Sequence, residues 1–285
     1  MPDQPKSGSR SVKPSEERRT TIEGRGAEQN MALLRAWRLV GEGRMAEAER
    51  RIDEVLARFP GSRRAWLLKS TAQFHRGNYA GGVESSERAI ELDQSDPEGW
   101  MSKGLCLAEA GSNEAAIECY ASAIQLDDNH ADAWRETGKS LGRLNRNSEA
   151  VQAFDKSLKA DPEAHETWYS LALSLVKLNQ LNKALACYDK ALRIDPRNVG
   201  TWCARAELFI EYANQKVRSE DREDRTAAII YLREALRNLD NALKIDPEHD
   251  LARRNRALLI EQVGQKLTEI PSLEGRPGIP ALPEL

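Results

Sequence analysis

The chain is short of everything that a metal or redox centre needs. Its 285 residues include four histidines and four cysteines, and Cys106, Cys119, Cys187 and Cys203 form no Cys-x-x-Cys pair and keep no ligand spacing with His75, His130, His165 or His249. That argues against a zinc site or a disulfide framework and leaves no metal and no cofactor to expect. Charge of one sign is missing as well: 42 basic side chains face 45 acidic ones, for a formal net charge of −3. The molecule as a whole therefore offers little attraction to nucleic acid or to an anionic membrane. No stretch approaches the roughly 20 apolar residues of a membrane span, and the polar first 28 residues have no apolar run of the kind a signal peptide carries. The expectation is a soluble, cytoplasmic chain in a reducing compartment.

Catalytic groupings are equally scarce. The triplet Gly138-Lys139-Ser140 has the letters that end a phosphate-binding loop, but such a loop needs a glycine five residues before its Gly-Lys, where this chain has Ala133. Acidic pairs are plentiful, as on any charged helical surface, and nothing singles out two of them for acid–base work. The chain is not expected to be an enzyme.

What the sequence does have is a period. Trp66, Trp100, Trp134, Trp168 and Trp202 stand 34 residues apart. With tryptophan as the fourth residue of each unit, the eighth is always small: Ala36, Ser70, Gly104, Gly138, Ala172 and Ala206. The twentieth is small again (Ala48, Gly82, Ala116, Ala150, Ala184), the twenty-fourth is mostly large (Ile52, Ser86, Tyr120, Phe154, Tyr188), and proline stands thirty-second at Pro60, Pro162 and Pro196. Small residues at eight and twenty let two antiparallel helices approach closely, and the large residue at twenty-four is expected to fill the space between one pair and the next. The turn within a pair falls near Gly43, Gly77, Gly111, Asn145 and Asn179, residue types that tolerate a left-handed conformation. Gly138 then reads as a packing residue of position eight, with Lys139 and Ser140 following it around a helix.

A 34-residue period held by several columns together resembles the tetratricopeptide repeat family from about residue 29 to about residue 267. The resemblance implies an all-α fold, an α-solenoid of antiparallel helix pairs with about six repeats and a C-terminal capping helix, wound as a right-handed superhelix whose first helices line a concave groove. Residues 1–28 mix Pro, Ser, Gly and charge without helical periodicity and read as a disordered segment. The sixth repeat, 199–247, has 17 extra residues and no Gly or Pro between Gly200 and Pro247, which predicts lengthened helices forming a protruding hairpin with its reversal near residues 219–226. Residues 268–285 interleave apolar residues with proline and read as an extended tail, a possible ligand for a groove.

In the family the groove is lined mainly by positions two, five, six, nine, twelve and thirteen of each first helix. Carried onto this sequence, the resemblance implies Trp37, Leu67, Phe74, Met101 and Leu105 as an apolar lining, and Arg135, Lys139 and Arg143, four residues apart, as a basic stripe. The fifth repeat adds Tyr169, Leu173, Val176 and Lys177; the sixth adds Cys203, Ala204, Glu207, Ile210 and Glu211. Such a groove suits peptide segments of other proteins, acidic or amphipathic ones in particular. Asp132 and Glu136, three residues before Arg135 and Lys139 respectively or adjacent to them, leave open the alternative that this helix satisfies its own charges.

The Lys and Asn set with which co-chaperones of the family grip a terminal carboxylate is not supplied by three successive repeats here. The expected function is a non-enzymatic protein-binding adaptor; the alternatives are a regulatory or substrate-presenting subunit of an enzyme and, less favoured by the balanced charge, an RNA-binding repeat protein. Neither nucleic acid nor membrane is an expected partner, and the oligomeric state is not legible.

Overall fold

The computed structural model describes residues 16–217 and 222–268. Among them there are thirteen α-helices and no strand. They fall into two units. The first holds α1 (Glu16–Gly41), α2 (Met45–Arg58), α3 (Arg63–His75), α4 (Tyr79–Leu92), α5 (Pro97–Glu109) and α6 (Asn113–Leu126). The second holds α7 (Ala131–Arg143), α8 (Asn147–Ala160), α9 (His165–Lys177), α10 (Leu181–Ile194), α11 (Val199–Val217), α12 (Arg222–Ile245) and α13 (Asp250–Thr268). Both are all-α helical-repeat folds, and three-residue turns join the helices of the first five pairs.

Each of those turns needs one residue of positive φ, and the five positions read from the sequence supply it: Gly43 (74°), Gly77 (76°), Gly111 (87°), Asn145 (60°) and Asn179 (57°). At Gly77 the reversal is closed by the amide of Asn78 donating to the Gln73 carbonyl and that of Gly77 to the Phe74 carbonyl, both at 2.9 Å, so the last carbonyls of α3 are satisfied as the chain leaves it.

Between pairs the chain uses a second device. The carboxylates of Asp93, Asp127, Asp161, Asp195 and Asp246 each accept the amide two residues on, at 3.0–3.1 Å. The carbonyl of the residue after each of the first four accepts the indole N–H of the next tryptophan: Gln94 from Trp100 at 3.3 Å, Asp128 from Trp134 at 3.0 Å, Pro162 from Trp168 and Pro196 from Trp202 at 2.9 Å. Since only the carbonyl is used, the identity of position thirty-two is free, and Gln94 and Asp128 serve as well as proline. Two histidines work as helix caps: His130 Nδ1 accepts the Ala133 amide at 3.3 Å and His249 Nδ1 the Ala252 amide at 3.2 Å.

Packing within the pairs explains the small column. A Cβ built on Gly138 would lie 2.6 Å from Phe154 Cε1, and one on Gly104 would lie 2.4 Å from Tyr120 Cε1. The large residue of position twenty-four thus lies against position eight of its own pair, a contact that the sequence reading did not assign to it. The Gly138-Lys139-Ser140 triplet lies inside α7, with Gly138 and Ser140 buried.

Three further expectations meet the structure here. Helix α1 begins at Glu16, so residues 16–28 extend the first helix instead of being disordered; a nucleated helix lengthens through polar sequence at little cost per residue, whether or not an apolar stripe is present. Residues 1–15 and 269–285, the rest of the expected terminal segments, lie outside the described residues. In the sixth pair α11 has six more residues than α3, α12 ten more than α4, and the connection one more, which accounts for all 17 of the excess. The extension carries an aromatic core, with Tyr212 and Tyr231 rings stacked at 5.2 Å and Phe209 6.3 Å from Tyr231, above fully buried Ala213 and Ala228. Lys216 and Asp224 pair across the reversal at 2.7 Å, and residues 218–221 lie outside the described residues.

Candidate partner-binding site

The residues singled out from the sequence fall in both units. In the first, Trp37 stands on α1 and is 66% exposed, in line with exposed Met31 and Leu34. Leu67 and Phe74 on α3 and Leu105 on α5 are half-buried, Phe74 making edge contacts with His75 and Tyr79 at 5.5 and 5.8 Å. Met101 is only 6% exposed and belongs to the core. Position five is buried in three repeats, at Leu33, Met101 and Cys203, and half-buried in the other three, at Leu67, Arg135 and Tyr169. Position nine turns outward in its place.

In the second unit the basic stripe is not bare. Arg135 pairs with Asp132, with Glu136 at 3.2 Å and with Glu166 of α9 at 3.7 Å; Lys139 pairs with Glu136 at 3.0 Å and Glu166 at 3.7 Å. Burial works against the Arg135 charge, but the carboxylates of Asp132 and Glu136 overcome it and hold its proton more firmly than usual. Of the stripe, Arg143 in the last turn of α7 is exposed, and Lys177 reaches the Gly142 carbonyl at 3.5 Å.

A concavity of this unit lies one helix pair further on. Leu173, 38% exposed, and Val176 of α9, Leu181 and Tyr188 of α10, and Ala204 and Leu208 of α11 wall a depression of about 300 Å³ with Glu207, Glu211 and Asn179 at its margin. That volume is at the small end for a ligand pocket and is of the order that one or two peptide side chains fill. Tyr169, half-buried, sits with its ring 6.1 Å from that of Tyr188. Burial pushes the Tyr169 phenol above its ordinary range and the Glu207 carboxylate adds to the rise. Leu173, Val176, Ala204, Glu207 and Glu211 follow from the family register, whereas Leu181 and Leu208 do not. Their signal would have been the first residue of a second helix and the tenth of a first, positions that register treats as packing.

A wider depression of about 770 Å³ opens between α12 and α13, with Leu243, Pro247, Ala257 and Ile260 on its walls. Two of its three cations are paired, Arg256 with Asp240 at 2.6 Å and Arg253 with Glu248 and Asp250 at 3.0 and 3.2 Å, while Lys244 reaches only the Asn241 side-chain carbonyl at 3.4 Å. Among the described residues no group of three His, Cys, Asp or Glu side chains could hold a metal ion, and no helix is long and apolar enough to cross a membrane.

Models described as tetratricopeptide repeat match residues 33–97, 82–133 and 165–198, covering helix pairs in both units. The chain belongs to the tetratricopeptide repeat family. No curated protein sequence matches it. Solved structures of tetratricopeptide repeat proteins are similar to it at low identity. The C-terminal part of a repeat-containing protein from Cytophaga hutchinsonii is 15% identical over 85% of this chain and 96% of its own, with a TM-score of 0.59. A thermophilic repeat protein of Thermus thermophilus is 18% identical over 64% of this chain and 99% of its own, with a TM-score of 0.56. YrrB, described as a TPR protein with an unusual peptide-binding site, is 16% identical over 72% of this chain and 97% of its own, with a TM-score of 0.51. At such identities the likeness shows the fold. Tetratricopeptide repeats are in general protein-interaction scaffolds.

Proposed function

We propose that the chain is a non-enzymatic, cytoplasmic adaptor that holds a peptide segment of a partner protein on the outward positions of its first helices. The observation that carries this reading is the depression walled by α9, α10 and α11: a mostly apolar hollow sized for side chains, with Leu173 exposed on its wall and Asn179, Glu207 and Glu211 among its lining. Apolar surface that the fold leaves uncovered in a concave place is a feature of recognition sites. YrrB indicates that this fold can carry a peptide site.

Selection of 12-residue peptides from a random displayed library on the full chain tests it. Peptides are expected to be selected, and Leu173→Gln is expected to weaken them while the far-ultraviolet dichroism stays unchanged. Selection that yields nothing, or peptides indifferent to Leu173→Gln, would overturn the reading.

A further inference from the structure

The charges around the depression point to the chemistry of its occupant. On α7 both central cations are already answered: Asp132, Glu136 and Glu166 surround Arg135 and Lys139. On α11 the reverse holds. Glu207 and Glu211 are exposed at the margin of the hollow, and among the described residues neither has a cation within ion-pair distance; the Glu211 carboxylate receives only the Gln215 amide at 3.5 Å. Arg205, on the same helix, pairs instead with Asp189 at 2.8 Å and donates to Asn238. An apolar wall beside two unanswered carboxylates lowers the local dielectric and strengthens their field; burial raises the Tyr188 phenol above its ordinary range, and the Glu207 charge adds to the rise.

We infer that the α9–α11 depression takes an apolar side chain of a partner segment that carries lysine or arginine within a few residues of it, so that the ligand is cationic and not acidic. This rests on the adaptor reading above. It reverses the sequence expectation of an acidic ligand, which assumed that Arg135 and Lys139 were available. With Leu173, Val176 and Leu208 burying the anchor, the flanking cation stays near the rim, where Glu207 and Glu211 supply charge-assisted hydrogen bonds at little desolvation cost.

Two fluorescein-labelled pools of 12-residue peptides test it on the full chain by anisotropy. Both carry one central Leu, Phe or Tyr; one pool is flanked by Lys and Arg, the other by Asp and Glu. The cationic pool is expected to bind about tenfold more tightly at about 50 mM salt, and the preference to shrink towards parity at about 0.5 M salt. Glu207→Gln with Glu211→Gln is expected to weaken the cationic pool about fivefold with no change in the melting curve. Acidic peptides that bind as well or better, with sensitivity to Leu173→Gln, would overturn the inference and leave the adaptor reading standing. A cationic preference that survives the double substitution would overturn the assignment to this rim. Failure of both pools to bind would remove the adaptor reading and the inference with it.

Discussion

Helix pairs α3/α4 and α7/α8 share one register and one turn geometry, yet their interiors are made of different chemistry. In α7/α8 a missing side chain at Gly138 receives the ring of Phe154, itself 1% exposed. In α3/α4 the corresponding positions are Ser70 and Ser86, both fully buried, with their hydroxyl oxygens 2.8 Å apart. Each reaches the Gly82 carbonyl, at 2.9 and 2.7 Å, and Ser102 of α5 joins the cluster 2.8 Å from Ser70. The notch at Gly82 is filled from α5 by Cys106, whose sulfur would lie 2.5 Å from an added Cβ. The repeat register therefore specifies where two helices touch and not what they touch with; an apolar ring in a glycine notch and a satisfied hydroxyl network both serve.

That contrast predicts unequal costs at equivalent positions. Phe154→Ala should cost about 3–5 kcal/mol, since it empties a ring-sized space in a fully buried site. Ser86→Ala, two repeats earlier at the same repeat position, should cost about 1 kcal/mol, the loss of one neutral hydrogen-bond partner. Urea unfolding of the two variants measures both, and equal costs would mean the pairs are not packed differently. Gly138→Leu comes next at about 1–3 kcal/mol or more, because the buried ring has no open space to move into. The converse exchange is more informative. Ser86→Phe alone should destabilise through collision with Ser70, and Ser70→Gly should recover about 1 kcal/mol of that loss in the double variant. Strict additivity would show that the two interiors cannot be interchanged by these positions alone.

Much of this was legible in the sequence, for a reason particular residues make plain. The turns could be placed because Gly43, Gly77, Gly111, Asn145 and Asn179 are local requirements: positive φ restricts residue type whatever surrounds it. The small column was legible because Gly138 and Gly104 answer to a steric demand inside one pair. The aspartate column, Asp93 through Asp246, was equally periodic and went unread, although its spacing alone would have revealed the turns that aim the carbonyls at the tryptophans. Trp168→Phe tests that link: loss of the indole hydrogen bond to Pro162 should cost about 0.5–1.5 kcal/mol, measured by thermal unfolding, with helicity retained.

The site was less legible than the fold. Register placed Arg135 and Lys139 on an outward face, but availability depends on Glu166, which comes from another helix, 31 residues after the one and 27 after the other, and no periodicity shows that pairing. Met101 was misplaced for the complementary reason: an apolar residue at a lining position cannot be told from a core residue until its neighbours are known. Glu207 and Glu211 came out of the register as lining residues and line the α9–α11 depression, but were undervalued, because a charge counts for recognition only where nothing within the fold already answers it.

The two pairs also bear on the ionisation of cysteines from neighbouring helices, Cys106 of α5 beside Ser70 and Cys187 of α10 within the field of Asp155 of α8, and here the expected effect is absent at neutral pH and appears only in alkali. Burial raises the thiols of both Cys106 and Cys187, but the Ser70 hydroxyl beside Cys106 works against the rise, whereas Cys187 has the Asp155 charge adding to it and is pushed from 9.0 to about 11. A thiol whose folded value lies above its unfolded one keeps its proton in the native state, so the folded chain binds more protons than the unfolded one between those values. The Cys187 contribution to stability is then fully present below about pH 9 and is lost as the pH rises towards about 11. Thiolate absorbance in single-cysteine variants should show Cys106 titrating before Cys187, and Ser70→Ala should move the Cys106 transition upward while leaving that of Cys187 in place. Coincident titrations would mean that the serine cluster does not reach the sulfur, and the hydroxyl interior would then end at Ser102.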